Sequence, residues 1–354
     1  MELLGDQSHP LGLHRVIEPR GMLPQPAWKV DAEPVCRDRE LLIDVQCLNI
    51  DSASFNQLKE AAGQDPEKVK DRIAAIVAER GKMHNPVTGS GGMLIGTVFE
   101  VGARFPGADR LCKGDRLATL VSLTLTPLHL VSIDEVDMKT GQVRVQGKAV
   151  LFASGPFALL PHDLPEHLSL AVLDVCGAPA QTARIVGRGQ TVVVLGAGGK
   201  SGLLCLAQAR RRLGDSGCLL ALESRQEACD EIRRLQLADN VIQVDARNPV
   251  AVLEAVEAAT GGGLADWTIN CVNVTDTELS SILATRDGGG VYFFSTAIRF
   301  TAAALGAEGV GRDVRMWIGN GYAPGHADLA LNTLRERPDL LRLFQSRYAA
   351  PVHG

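Results

Sequence analysis

The sequence lacks long apolar runs and an excess of charge of one sign. None of its 354 residues lies in a run approaching the roughly 18 apolar residues of a membrane span, and the segment up to Gly12 has no apolar signal-peptide core. A net charge of −5 argues against nucleic acid as a partner, because such binding relies on cation-rich surfaces. We therefore expect a cytoplasmic protein that binds neither membrane nor nucleic acid.

The sequence also lacks a recognisable spacing of its cysteines. The eight of them show neither the paired spacing of metal ligands nor a disulfide framework. We expect them to be small buried hydrophobes in a reducing compartment. A chain of this length exceeds one ordinary core, which predicts two domains.

The order of strands and helices changes along the chain. Up to about Leu160, short strands between glycine and proline turns predict an antiparallel β region, interrupted by a helix over 65–80. Residues 161–165 are typical of a linker. From Leu168 helices and strands alternate, beginning with a helix over 169–186, which indicates an α/β fold with a doubly wound parallel sheet.

A glycine-rich turn follows the apolar strand 191–195 and precedes a helix. Glycine permits positive φ and close approach of a ligand, and the N–H groups that open the next helix can bind an anion. The turn resembles the end of a Walker P-loop, but Val194 occupies the position of the glycine that such a loop requires. We therefore predict a Rossmann dinucleotide site formed by Gly196, Gly198, Gly199, Lys200, Ser201 and Gly202.

Two spacings remain open for this turn. Gly196 and Gly198 fit the start of G-x-G-x-x-G, although Ser201 stands at its third glycine. The series Gly196, Gly199 and Gly202 instead gives a regular G-x-x-G-x-x-G.

An acidic residue ends the next predicted strand. Glu223 can accept hydrogen bonds from the adenosine ribose hydroxyls, which favours NAD. Ser224 and Arg225 weaken this preference, since both suit the 2′-phosphate of NADP. Polar residues after the following strands are further cofactor candidates, or else solvent-facing strand ends: Asp245, Asn270, Asn273 and Ser295.

Three segments resemble the medium-chain dehydrogenase/reductase superfamily. They are Gly96-Thr-Val-Phe-Glu-Val-Gly102, Lys113-Gly-Asp-Arg116 and Thr182-Ala183. The resemblance implies a Rossmann domain over 161–321 and a GroES-like β-rich catalytic domain made of 1–160 with 322–354. Relatives are commonly homodimers joined at the edges of their Rossmann sheets.

The zinc ligands of the alcohol dehydrogenase branch have no counterpart in this sequence. Gly91, Gly92 and Met93 stand at the positions of that branch's G-H-E motif, and Asn49 stands at the position of its cysteine ligand. We expect no metal, so the chemistry must proceed without a Lewis acid on the substrate.

Longer segments resemble a narrower family, the L-erythro-3,5-diaminohexanoate dehydrogenases of lysine fermentation. Examples are Leu48-Asn-Ile-Asp-Ser-Ala-Ser-Phe55, Lys82-Met-His-Asn-Pro-Val-Thr-Gly-Ser-Gly-Gly92 and Ile318-Gly-Asn-Gly-Tyr322. The resemblance implies NAD-dependent oxidative deamination of a 3,5-diamino acid at C3, with release of ammonia. A zinc-free NADPH-dependent quinone or enone reductase and a non-catalytic nucleotide-binding protein stay open as alternatives.

Removing hydride from an amine carbon requires a neutral amine, hence a general base and carboxylates that receive the remaining ammonium. His84 is the first candidate base, because histidine changes charge near neutral pH; a structural histidine is the alternative. Asp51 and Ser52 are cleft candidates or turn residues, and Asp174 is an ammonium ligand or a bonded helix carboxylate. Weaker catalytic candidates, with ordinary loop or strand polarity as the alternative, are Glu18, Ser122 and Thr124.

Overall fold

The computed structural model describes residues 8–295, 297–319 and 321–348, without the side chain of Ser52. Contacts group the chain into two compact units, one up to Asp163 and one from Leu164. Among the described residues, no helix combines the length and the apolar character needed to cross a membrane.

The first unit is mostly antiparallel sheet. Its elements are β1 (Val16–Glu18), β2 (Lys29–Val30), β3 (Glu40–Asn49), α1 (Ser52–Ala61), α2 (Pro66–Arg80), β4 (Met93–Val101), β5 (Arg116–Thr119), β6 (Leu128–Val136), β7 (Gln142–Phe152) and β8 (Phe157–Leu159). The larger sheet of this described region has the order β6-β7-β3-β4-β5-β8, and β1 pairs with β2. Side chains of β3, β4 and β7 form its core with those of α1 and α2.

Two helices interrupt this sheet, where the sequence predicted one. Helix α2 lies over the predicted range, with Asp65 as its N-cap and Gly81 ending it at φ 69°. Helix α1 was missed because it is short and buries few apolar residues, chiefly Phe55 and Leu58. Its N-cap is Asp51, which accepts a hydrogen bond from the Ser54 N–H.

The second unit alternates helices with parallel strands. Its elements are α3 (Glu166–Leu173), α4 (Gly177–Ile185), β9 (Thr191–Leu195), α5 (Lys200–Leu213), β10 (Cys218–Glu223), α6 (Gln226–Arg234), β11 (Asn240–Gln243), α7 (Pro249–Thr260), β12 (Ala265–Asn270), α8 (Glu278–Leu283), β13 (Thr285–Phe293), α9 (Phe300–Gly309), β14 (Arg315–Ile318), α10 (His326–Glu336) and α11 (Pro338–Tyr348). The strand order is β11-β10-β9-β12-β13-β14, all parallel.

This order confirms the predicted doubly wound Rossmann sheet. From β9 the chain moves to one edge through β10 and β11, then returns to β12 and moves to the other edge. Right-handed crossovers therefore place the two sets of helices on opposite faces. Both faces of β9 are covered, so four of its five residues are buried, and the carboxyl ends of β9 and β12 meet at the crevice where such sheets bind ligands.

The C-terminal helices differ from the expected domain assignment. The family resemblance places 322–354 in the first domain, whereas α10 contacts α3, α4 and α5, and α11 contacts α3 and α10. These contacts bury apolar residues such as Leu334 and Phe344. The described part of this segment therefore packs with the second unit.

The helix predicted over 169–186 is also different. It is divided into α3 and α4, with Asp174 as the C-cap of α3. The division brings Asp174 to the surface.

Candidate functional site

The glycine turn of the second unit is tightly constrained at three positions. Gly196 has φ +70°, and a Cβ there would lie 3.0 Å from Val272 Cγ2. A Cβ at Gly202 would lie 2.3 Å from the Gly196 carbonyl oxygen, so α5 can approach the turn only without a side chain. A Cβ at Gly199 would lie 3.6 Å from the same oxygen, which is an ordinary contact. The steric requirement therefore falls on Gly196 and Gly202, and also on Gly198, where a Cβ would lie 2.6 Å from Ala228 Cβ.

Glu223 is directed back at this turn. Its Oε2 accepts a hydrogen bond from Gly198 N–H at 2.9 Å, and a Cβ at Gly198 would lie 2.7 Å from that oxygen. Its Oε1 accepts from the N–H groups of Ser224 and Arg225, both at 3.0 Å. Glu223 is 6% exposed, so its carboxyl group is held in a fixed position beside the turn.

Helix α5 begins at Lys200 without a side-chain cap. The N–H groups of its first turn are consequently available to an anion, and the helix dipole adds to that attraction. Ser201 and Gly202 lie buried in this turn. The turn, the uncapped helix and Glu223 fit the pyrophosphate and ribose of a dinucleotide.

Asp174 does not lie inside an apolar helix as the sequence suggested. Its side chain is 44% exposed and pairs with Lys200, whose Nζ lies 2.7 Å from Asp174 Oδ2. The pair explains how a carboxylate is tolerated beside the apolar residues of α3. Lys200 also lies 5.9 Å from the centre of the Tyr348 ring.

The other cofactor candidates have different surroundings. Asp245 is exposed and accepts hydrogen bonds from the Arg247 guanidinium at both carboxylate oxygens. Asn273 accepts a hydrogen bond from the nearly buried Ser295 hydroxyl at 3.1 Å. Asn270 is fully buried; it donates to Thr277 and Ser281 and accepts from Val272 N–H, so it ties β12 to α8.

Arg347, which is not among the residues predicted from the sequence, contacts the glycine turn from α11. Its Nη1 donates to the Gly198 carbonyl oxygen at 2.7 Å, and its Nη2 pairs with Glu231. The N–H of Gly198 is thereby held by Glu223 and its carbonyl oxygen by Arg347. No local signal in the sequence identifies this contact, because it joins residues 149 positions apart.

In the first unit a glycine pair holds several candidate residues together. A Cβ at Gly91 would lie 2.4 Å from Met83 O and 3.2 Å from Thr124 N. A Cβ at Gly92 would lie 2.1 Å from Asn49 O and 2.8 Å from Asp51 N. The segments that carry Asp51, His84 and Thr124 therefore converge on this pair.

The packing around Gly92 also determines whether a zinc ligand could stand at that position. Gly92 stands where the alcohol dehydrogenase branch carries its histidine ligand, and at φ +99° it is enclosed by backbone that leaves no room for a side chain. Over the described ranges, no cluster of three or more His, Cys, Asp and Glu side chains is placed to hold a metal ion. The residues present do not fit the zinc site of that branch.

Asp51 joins the helix cap to a network of hydroxyl groups. Its Oδ1 accepts from Ser54 N–H at 2.9 Å and from the Ser90 hydroxyl at 3.0 Å. The Ser54 hydroxyl lies 2.7 Å from those of both Thr88 and Ser90. Asp51 Oδ2 is buried without a hydrogen-bond partner in the described structure, which indicates a site for a ligand or water donor.

His84 lies in the loop between α2 and β4, and its Nδ1 is likewise buried without a described partner. Burial, together with the charges of Lys82 and Arg80, lowers the pKa of His84 to about 4. The imidazole is therefore neutral at physiological pH. Next to it, Asn85 accepts from Val87 and Thr88 N–H and so fixes the turn of the loop.

The remaining candidates divide into two groups. The Ser122 hydroxyl oxygen accepts from Thr124 N–H and from the Thr124 hydroxyl, which leaves its own proton for another acceptor. Glu18 ends β1 in an exposed position, and among the described residues no hydrogen bond joins it to this cluster. Ser52 begins α1, but its side chain lies outside the described residues.

Comparison with known proteins indicates one family for this chain. A family model for the L-erythro-3,5-diaminohexanoate dehydrogenase N-terminal domain matches residues 14–161. Proteins named L-erythro-3,5-diaminohexanoate dehydrogenase from Acetoanaerobium sticklandii and Fusobacterium nucleatum are 52% and 50% identical, each over 95% of this chain and 98% of the relative.

The fold is also found in solved structures. A quinone oxidoreductase from Pseudomonas syringae is similar with a TM-score of 0.52 and 17% identity, over 88% of this chain and 82% of that one. At this identity the similarity concerns the fold alone. The close sequence relatives decide the family: the chain belongs to the L-erythro-3,5-diaminohexanoate dehydrogenases.

Proposed function

We propose that the protein catalyses NAD-dependent oxidative deamination of L-erythro-3,5-diaminohexanoate at C3, which yields (S)-5-amino-3-oxohexanoate and ammonia in lysine degradation. The observation that carries the proposal is 50–52% identity to two dehydrogenases of that name over 95% of the chain. A quinone reductase has only fold-level support, at 17% identity. A non-catalytic role gives no reason for the buried, unpartnered polar atoms of the first unit.

We assign substrate binding to the first unit. The substrate carries two ammonium groups and a carboxylate, so it needs acceptors for N–H donors and a donor for its carboxylate. Asp51 Oδ2 is a hydrogen-bond acceptor without a donor in the described structure, and it suits the substrate ammonium that does not react. Ser122, whose hydroxyl proton is free, suits the substrate carboxylate.

His84 is assigned the proton transfers. Its neutral Nδ1 accepts a proton from the C3 ammonium, so that the nitrogen lone pair can stabilise the cation that forms as hydride leaves C3. His84 releases this proton to solvent before it accepts another from the water that adds to C3. It then returns that second proton to the nitrogen, and as ammonia leaves, the C3 hydroxyl gives its own proton to His84 and becomes the ketone carbonyl.

The cofactor is a nicotinamide dinucleotide, and we assign it to the second unit. When bound, its nicotinamide ring accepts the hydride removed from C3. Gly196, Gly198, Gly202 and the start of α5 would hold its pyrophosphate. The buried carboxylate of Glu223 favours NAD, because it can accept hydrogen bonds from the adenosine ribose hydroxyls and would repel the 2′-phosphate of NADP. Asp174 would act through its pair with Lys200 rather than as an ammonium ligand.

We further propose a cytoplasmic homodimer. Strand β14 ends the parallel sheet of the described chain with its outer edge unpaired. It exposes Trp317 and Ile318, which are 42% and 46% accessible. An exposed apolar edge strand is a template for pairing with a second copy. The cysteines are free thiols, which suits a reducing compartment.

The test is turnover of the purified protein with 3,5-diaminohexanoate and NAD. Reduced nicotinamide should form, measured by its absorbance, with one ammonia per hydride. Sedimentation should give a dimer, and Trp317→Glu should shift it toward monomer. Turnover of a quinone with NADPH, and none of the diamino acid, would refute the assignment.

A further inference from the structure

Two buried cations precede His84 in the chain. Arg80 is 7% exposed and Lys82 is fully buried. Among the described residues neither forms an ion pair with a carboxylate, although less buried lysines of the same unit, such as Lys68 and Lys70, do. Burying cations without a paired carboxylate costs free energy of folding. Their position beside the candidate base therefore needs a functional explanation.

Both cations bind one segment of the chain, residues 24–28, which we name the strap. Lys82 Nζ donates to the carbonyl oxygens of Pro24 at 2.6 Å and Gln25 at 3.0 Å. Arg80 Nε donates to Trp28 O at 3.3 Å, and its guanidinium carbon lies 4.2 Å from the centre of the Trp28 ring. The strap is thus fixed to the segment that leads to His84.

Arg80 also holds His84 directly. Its Nη1 donates to the His84 carbonyl oxygen at 2.5 Å, so one guanidinium binds both the strap and the backbone of the candidate base. The neighbouring Asn85 is anchored to α1, through the Ser54 carbonyl oxygen and the Gln57 side chain. The backbone of His84 is therefore held from two directions.

The charges that face His84 are mainly positive. Burial is the largest cause of its lowered pKa, and the charges of Lys82 and Arg80, on its own segment, lower it further. From α1 the loop is faced by Asp51, whose Oδ1 is engaged by Ser54 and Ser90. The pKa of Lys82 is itself lowered to about 8 by burial and by Arg80. The arrangement disfavours an additional cation at this position.

We propose that Arg80 and Lys82 are positioning residues, which fix His84 against the strap and keep its imidazole, and the amine bound to it, in the neutral form. The part that concerns the amine rests on the function proposed above. A positive field disfavours an ammonium for the same reason that it disfavours an imidazolium. Hydride removal needs the neutral amine, so the buried cations favour the protonation state from which hydride transfer begins.

The first test is a side-chain NMR titration of the histidines in the intact protein, with His84 assigned from its missing signal in His84→Gln. His84 should titrate near pH 4 in the unsubstituted protein. In Lys82→Met and Arg80→Gln its midpoint should move toward the ordinary 6.5. Lys68→Met, which removes an exposed lysine from α2, should leave the midpoint in place.

The second test is the pH profile of kcat/KM with the diamino acid. Lys82→Met should move the acidic limb to higher pH and lower kcat about tenfold, and Lys82→Arg, which keeps the charge, should restore the position of the limb. A merely structural role would lower activity without moving the limb. If Lys82→Met does not fold, Arg80→Gln and the titration of the unsubstituted protein decide.

A midpoint near 6.5 in the unsubstituted protein, or one that stays at its low value in the folded variants, would overturn the proposal. The titration does not require turnover. A protein inactive on the diamino acid but with a low His84 midpoint would therefore refute the proposed function while leaving the positioning role intact.

Discussion

The Glu223 carboxylate accepts a hydrogen bond from Gly198 N–H at 2.9 Å, which joins the end of β10 to the glycine turn. The contact requires glycine at 198, because a Cβ would lie 2.7 Å from the accepting oxygen. It also fixes negative charge at the position where Rossmann folds bind the adenosine ribose. The preference between NAD and NADP should consequently depend on Glu223.

Replacing Glu223 by alanine should weaken NAD binding about tenfold, roughly 1.4 kcal/mol for hydrogen bonds to a charged acceptor. NADP binding should be unchanged or stronger, because Ser224 and Arg225 remain and the repelling carboxylate is gone. Both affinities are measured by fluorescence titration. Glu227→Ala removes an exposed carboxylate from the first turn of α6 and serves as the control. An unchanged ratio of the two affinities would contradict the assigned role of Glu223.

The glycines of the turn should differ in their tolerance of a methyl group. Gly202→Ala should abolish dinucleotide binding and lower stability by about 1–3 kcal/mol, since the new Cβ would lie 2.3 Å from Gly196 O. Gly199→Ala should bind almost normally, because its Cβ has an ordinary contact and φ is −77°. Calorimetric titration and thermal unfolding measure the two effects. Equal losses in both variants would restore the regular G-x-x-G-x-x-G spacing as the relevant one.

The sequence predicted the Rossmann half well because its signals are local. Strand 191–195 was placed with the observed bounds, since a buried parallel strand is a continuous apolar run between turns. Helix α1 was missed because its cap, Asp51, was interpreted as a possible turn and its apolar face is short. The position of α11 could not be inferred either, since its contacts with α3 and α10 depend on distant parts of the chain.

The sequence identified several residues of the candidate site, but it did not predict how they are arranged. Asp51 and His84 were selected by residue type, and the structure brings their segments together at Gly91 and Gly92. The unpartnered atoms could not be foreseen, because they depend on which hydrogen bonds the packed loop already makes. Asp174 was expected within one continuous helix, whereas it lies at the division between α3 and α4 and is exposed.

Two substitutions at Asp51 should separate its roles as a cap and as a ligand. Asparagine caps helices as well as aspartate, so Asp51→Asn should keep stability within about 0.5 kcal/mol, whereas Asp51→Ala should lose about 1 kcal/mol. Both should raise KM for the diamino acid at least tenfold, because the anionic acceptor for its ammonium is lost. Denaturant unfolding and initial-rate kinetics are the measurements. A normal KM in Asp51→Asn would restrict Asp51 to capping.

Acid should weaken the fold through a buried ion pair in the first unit. Arg15 and Glu40 are fully buried, with Arg15 Nη2 at 2.7 Å from Glu40 Oε2 and His14 Nε2 at 2.6 Å from Oε1. Burial alone would raise the pKa of Glu40, but the hydrogen bonds from His14 and Arg15 and the charge of Arg15 outweigh it and lower the pKa to about 2.

Because the pKa of Glu40 is lower in the folded than in the unfolded chain, its contribution is complete above about pH 4.5 and is lost as the pH falls toward 2. The loss should amount to about 3 kcal/mol in the free energy of unfolding. Urea unfolding at a series of pH values measures it. Asp38→Asn, which removes an exposed ion pair with Arg104, should leave this pH dependence unchanged. If folded Glu40→Gln showed the same decline between pH 4.5 and 2, the decline would have to come from other carboxylates.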